Sequence, residues 1–163
     1  MNLGTVFLQS AARRSIYYKE LCDKTFVQLT EADMHYQPNA ECNSIAVIIQ
    51  HMAGNMLSRW TDFLTTDGEK EWRHRDTEFE STNASKDNLV LLWDKGWSCY
   101  LSALNQLQET DLMKIVHIRN EPLTVIDAIN RQLAHYTYHC GQIIYSGKII
   151  KESAWQNLSM PRN

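Results

Sequence analysis

Apolar residues recur at helical intervals through four long stretches, while strand-like alternation is confined to one short region. In the first stretch Leu3, Val6, Phe7, Ala11, Tyr18, Leu21 and Cys22 share a face, which predicts a helix from about Asn2 to Gln28. The break Gln37-Pro38-Asn39 precedes a second stretch, capped at Asn43 or Ser44. It carries Ile45, Ile48, Ile49, Met52, Met56, Trp60 and Phe63 as far as Thr65, and Thr66-Asp67-Gly68 ends it. A third helix, capped at Ser85 or Asp87, presents Leu89, Leu92, Trp93, Gly96, Tyr100, Ala103, Leu104 and Leu107. The fourth starts near Thr124, where Asp127 completes a capping box, and passes through Ile129, Leu133, Tyr136, Cys140 and Ile144 before Gly147 stops it.

Two connections carry information of their own. Glu69 to Ser85 is highly charged yet contains Trp72 and Phe79, so it reads as an ordered excursion that packs these aromatics against the helices. Lys114-Ile115-Val116-His117-Ile118-Arg119, the turn Asn120-Glu121-Pro122 and Leu123-Thr124-Val125 read as a small β-hairpin. The expected fold is therefore all-α: a four-helix bundle in a single domain, residues 1–163. It has a long connection between its second and third helices and a short hairpin before the fourth.

Composition narrows the functional classes. The 163 residues suffice for one substantial core, and the formal charge of −3 argues against nucleic-acid binding, which needs a surplus of Lys and Arg. No apolar run approaches the ~18 residues of a membrane span, and the amino terminus lacks signal-peptide character, so a cytoplasmic protein without a membrane partner is expected. Cys22, Cys42, Cys99 and Cys140 form no C-x-x-C pair and read as free thiols, most of them packed in the core. Cys140 follows His139 directly, but a step of about 100° turns it from the histidine face.

The chemistry lies in Ala134-His135-Tyr136-Thr137-Tyr138-His139. Two histidines four residues apart on a helix leave one face a single turn apart, roughly 6 Å, close enough to share an ion. Position 136 is Tyr, so the glutamate of H-E-x-x-H zinc enzymes is absent. His51 sits in the apolar run Ile48-Ile49-Gln50-His51-Met52-Ala53 of the second helix. It reads either as a hydrogen-bonded core histidine or as a third ligand beside His135 and His139, and three histidines on two bundle helices favour the ligand. No carboxylate stands one turn from His135 or His139, where Arg131, Gln132, Gln142 and Ile143 occur instead. Asn55 and Gln132, each one turn from a candidate ligand, are placed to hydrogen-bond an imidazole, a bound water or a bound cofactor. Arg59, two turns beyond His51, is placed to receive a carboxylate of a cofactor or to form a surface ion pair. Tyr136 and Tyr138 are expected to pack against neighbouring helices. His35, His74 and His117 are expected on the surface.

The order of helices, the segment Ile48, His51, Ala53, Asn55 and the later H-x-x-x-H together resemble the DinB-like superfamily of damage-inducible bacterial proteins, over nearly the whole chain. The run Ser58-Arg59-Trp60-Thr61-Asp62-Phe63-Leu64 with Asp67-Gly68-Glu69-Lys70 resembles an uncharacterised subgroup. The resemblance implies a divalent metal (zinc, nickel, manganese or iron) on His51, His135 and His139, with positions open to water or substrate. It also implies kinship with transferases that use bacillithiol, mycothiol or glutathione.

Two function classes follow. One is a metal-dependent thiol S-transferase or related detoxification enzyme acting on a small molecule, with a low-molecular-weight thiol as co-substrate. The other is a non-catalytic metal-binding or stress-response bundle, and a homodimer fits either. A third reading has no metal and sets Trp60, Trp93 and Trp97 in an apolar dimer interface.

Overall fold

The computed structural model describes residues 2–160, and in it the four expected helices form a bundle with a two-stranded appendage. The single-domain reading of residues 1–163 includes Met1 and residues 161–163, which lie outside the described residues. Helix α1 spans Leu3–Gln28, with Asn2 Oδ1 accepting from the Thr5 amide as its cap. A short helix α2, Glu31–His35, closed by a Thr30–Asp33 capping box, was not anticipated, because five residues are too few to show a period. Helices α3 (Ile45–Trp60), α4 (Lys86–Gln106) and α5 (Val125–Lys151) follow. Ser44, Ser85 and Thr124 each accept from the backbone N–H three residues on.

Two boundaries differ from expectation, each for a local reason. Helix α3 stops at Trp60 rather than Thr65, since Asp62 takes φ of 50° and turns the chain away. Ser58 Oγ then donates to Gly68 O at 2.7 Å and ties the departing loop back onto the helix. Helix α5 runs through Gly147 to Lys151. Gly147 serves packing there: a Cβ would stand 2.8 Å from Thr25 Cγ2 of α1 and 3.1 Å from the Trp155 ring.

The core is aromatic at its centre. Trp60 of α3, Trp93, Trp97 and Tyr100 of α4 and Tyr136 of α5 form a contiguous set with neighbouring ring centroids 4.7 to 5.8 Å apart. Because Trp60, Trp93 and Trp97 are at most 3% exposed within one chain, they are core residues, and the reading that put them in a dimer interface is corrected. Gly96 lets α4 approach α3 closely: a Cβ there would stand 2.9 Å from the Ala53 Cα. Ala53 lies between His51 and Asn55, so this contact seats the site-bearing stretch of α3. Cys22 and Cys140 are buried, and all four cysteines are free.

The hairpin pairs β1 (Ile115–Ile118) antiparallel with β2 (Glu121–Thr124), Ile115 opposite Thr124. Its turn is Arg119-Asn120, one step earlier than expected, with φ of 57° and 63°. The Asp67 carboxylate stabilises that left-handed pair by accepting from the Arg119 amide at 2.9 Å and the Asn120 amide at 2.8 Å. No described helix is long and apolar enough to cross a membrane.

Candidate metal centre

Helix α3 contributes His51 and helix α5 contributes His135 and His139, and their ligand atoms lie within 4.8 Å of one another, so the group could hold one metal ion. His135 Nε2 stands 3.3 Å from His51 Nε2 and 3.0 Å from His139 Nε2. Nitrogens bound about 2.1 Å from one ion at angles between 90° and 109° would be separated by roughly 3.0 to 3.4 Å, so these spacings fit a shared ion.

Hydrogen bonding sets the tautomers. His51 Nδ1 lies 3.0 Å from Glu78 Oε2, and His139 Nδ1 lies 2.7 Å from Gln142 Oε1. Both oxygens only accept, so each Nδ1 carries the proton and each Nε2 offers its lone pair to the common centre. Desolvation is the chief cause that lowers the His135 pKa, to about 3, with neighbouring His139 and His51 adding to it. Desolvation likewise lowers that of His139 to about 4, against the hydrogen bond that its Nδ1–H donates to Gln142. Both are therefore neutral near pH 7, the form that ligates metal.

The carboxylate missing from the helix face of His135 and His139 arrives from elsewhere. Glu78 belongs to a 3-10 helix, Arg75–Phe79, inside the long connection. Arg73 holds it in bidentate fashion, Nε to Oε1 at 2.8 Å and Nη2 to Oε2 at 2.9 Å. Burial would raise the Glu78 pKa, but the Arg73 and His51 hydrogen bonds outweigh it and keep the carboxyl below its ordinary value. Gly54 makes the arrangement possible: a Cβ there would fall 2.1 Å from Glu78 Oε1. The readable signal was a glycine three residues after a candidate ligand, on the same helix face, which leaves a notch for an incoming side chain.

The connection is thus ordered by ion pairs rather than by its aromatics. Trp72 is 53% exposed, which corrects the expectation that it packs on the bundle. Phe79, itself exposed, contributes by stacking on His51 at 4.7 Å between centroids. Arg59 donates from Nη1 to Gly68 O and to Glu69 Oε2, the latter at 3.0 Å, so it is a buried strut for this loop rather than a surface ion pair.

A cavity of about 220 Å³ opens beside the histidines, lined by His51 and His135 together with Asn55, Arg59, Arg73, Arg75, Arg119, Arg131 and Gln132. The three residues expected near a cofactor therefore all reach it. Asn55 Oδ1 is occupied by the Tyr136 hydroxyl at 3.1 Å, which itself accepts from Trp60 Nε1 at 3.0 Å, so Asn55 can offer its NH2 group to the cavity. Tyr136 is buried as expected, whereas Tyr138 is 62% exposed and meets only the edge of His139. His74 and His117 are exposed; His35 is half-buried with Nε2 2.9 Å from Ala84 O.

A protein-family model described as "Protein of unknown function (DUF1572)" matches residues 2–163. The crystal structure of a conserved protein from Enterococcus faecalis superposes with a TM-score of 0.69 at 19% identity, covering 92% of this chain and 98% of that one. This likeness supports the bundle fold. No curated protein matches the chain.

Proposed function

The chain belongs to the DUF1572 family, and from the geometry of its own site we propose that it is a DinB-like protein that binds a divalent metal through His51, His135 and His139 and uses it as a thiol-dependent S-transferase on a small electrophile. The observation that carries this reading is the convergence of three imidazoles beside a cavity, with no fourth protein ligand completing the set among the described residues. Three protein ligands with an accessible face mark a catalytic arrangement, whereas structural sites are closed. Zinc, nickel, manganese and iron all accept such a donor set.

When bound, a divalent ion there supplies Lewis acidity, which favours the thiolate form of a low-molecular-weight thiol at neutral pH. The chain's own residues do the rest. Glu78 and Gln142 fix the ring orientation of His51 and His139. Asn55 and Gln132 line the cavity and bring side-chain amides to it for a ligand's polar groups. Arg59 and Arg73 add positive charge that stabilises a thiolate or a carboxylate of the co-substrate. A homodimer is proposed with this activity, through exposed apolar residues of α1 and α5 such as Ile16, Tyr17, Tyr145 and Ile149.

Metal analysis of protein purified without an affinity tag, followed by incubation with a thiol panel and a generic electrophile, tests both halves. The proposal expects about one metal per chain and metal-dependent thiol consumption. Stoichiometric metal without thiol consumption would favour the second reading, a non-catalytic metal-binding bundle.

A further inference from the structure

We infer that the cavity beside the three histidines is an anion-binding pocket, built for a small acid bearing a carboxylate or phosphate and at least one hydrogen-bond donor. The inference deepens the proposed function, since it names the chemistry of what enters that site, but its evidence is independent of the metal.

Charge is the first observation. Five arginines line the cavity, Arg59, Arg73, Arg75, Arg119 and Arg131, against two carboxylates that contact them from the loop, Glu69 and Glu78. Glu69 is shared among Arg59, Arg119 and Arg73, at 3.0, 3.1 and 3.6 Å. Arg75 has only a 3.9 Å contact with the fully exposed Asp76, and Arg131 has no ion pair among the described residues. In a chain whose formal charge is −3, this concentration of cations around one small concavity is a local reversal of the overall sign.

Unmet hydrogen-bonding capacity is the second. Five buried side-chain polar atoms lack a hydrogen-bond partner among the described residues, and three of them, Arg59 Nε, Arg73 Nη1 (whose ion-pair contact with Glu69 Oε1 is 3.6 Å, beyond hydrogen-bond distance) and Gln132 Oε1, belong to residues lining this cavity. The side chains of Arg59 and Arg73 are 6% and 2% exposed, and Gln132 is 3% exposed. A buried donor or acceptor left unpaired is costly, so the free Arg59 Nε and Gln132 Oε1 and the loosely held Arg73 Nη1, on three residues lining one cavity, point to a ligand that satisfies them. Two guanidinium donors call for anionic oxygens, and the Gln132 oxygen calls for an O–H or N–H on the same molecule. The buried pair, Arg59 and Arg73, is immobilised by Glu69 and Glu78. The exposed pair, Arg75 and Arg131, stands at the rim and can close over the anion. Arg75 is steadied there by stacking on Phe79, with Cζ 5.0 Å from the ring centroid. The histidines form one wall, so an anion seated here lies next to the proposed metal position.

The test is calorimetric titration of the full chain, both metal-loaded and stripped by chelation and desalting, with inorganic phosphate, succinate, the uncharged succinamide and the cation putrescine. Phosphate or succinate should bind both forms, with succinamide and putrescine silent, and the tighter of the two acids identifies the head group. The R75Q/R131Q variant should bind the same acid at least tenfold more weakly while its metal stoichiometry is unchanged. Both side chains are exposed, and R131Q alone provides the same readout should the double variant fold poorly. Equal binding of succinamide and succinate, or wild-type affinity in the variants, would overturn the inference. Anion binding by the stripped protein together with failure to take up any metal would leave the pocket standing and remove the metal reading, so the two failures are distinguishable.

Discussion

At the residue scale, the candidate ligands and the groups that orient them divide cleanly by what their loss should do. His135→Ala removes the nitrogen shared by both short contacts, at 3.0 and 3.3 Å. Stoichiometric metal binding and any thiol-transfer activity should be abolished, with helical circular dichroism retained; full activity in a metal-free variant would refute the mechanism. Glu78→Gln keeps the shape but removes the charge that orients His51, so metal affinity should fall by about 10- to 100-fold, the usual effect of losing such a partner. Competition with a chromophoric chelator measures it. Gly54→Ala should reproduce most of this loss without touching a polar group, because the new methyl occupies the place of Glu78 Oε1. A Gly54→Ala protein with wild-type metal affinity would show that Glu78 has no orienting role.

At the scale of elements, the connection from Asp67 to Phe79 is held by polar ties whose strength depends on pH. Burial opposes ionisation of Asp67, but the amides of Asn120, Glu69 and Arg119 outweigh it and lower its pKa. A carboxyl whose folded pKa lies below its unfolded value, about 3.9, stabilises the folded state above that value. The stabilisation disappears as pH falls through the lower, folded pKa. Asp67→Ala should therefore cost about 1–3 kcal/mol at neutral pH and speed hydrogen exchange at Arg119 and Asn120, with the difference from wild type vanishing in acid. A constant difference down to the lowest pH would show that Asp67 acts without its charge. The long helices were legible in the sequence because each repeats its apolar face over several turns, and the hairpin because Ile115 to Val125 alternates around a break. What escaped was polar and non-local. Glu78 lies 27 residues from His51, and although Gly54 marks a notch on the His51 face, no period or spacing says which side chain of the loop fills it. Trp72 misled for the converse reason, since a large aromatic in a charged stretch suggests burial while Arg73 and Glu78 were already sufficient to order it.

At the scale of the whole molecule, the question is whether the metal holds the bundle together or only uses it. The three histidines join α3 to α5, but the aromatic set from Trp60 to Tyr136 joins α3, α4 and α5 independently. Fully burying one large apolar side chain is worth about 1.5–3 kcal/mol, and several such residues lie in that set, so folding does not depend on the site. Metal should add only its linkage term, about 2.7 kcal/mol at a free concentration one hundred times Kd. For a chain of this size each kcal/mol moves Tm by roughly 2–4 °C, so chelation should lower Tm by roughly 5–11 °C and leave a cooperative transition. Differential scanning calorimetry with and without chelator measures this, and His135→Ala should melt at the chelated temperature whether or not metal is present. Outright unfolding on chelation would mean instead that the histidine cluster is a structural centre and that the cavity beside it serves some purpose other than metal-assisted chemistry.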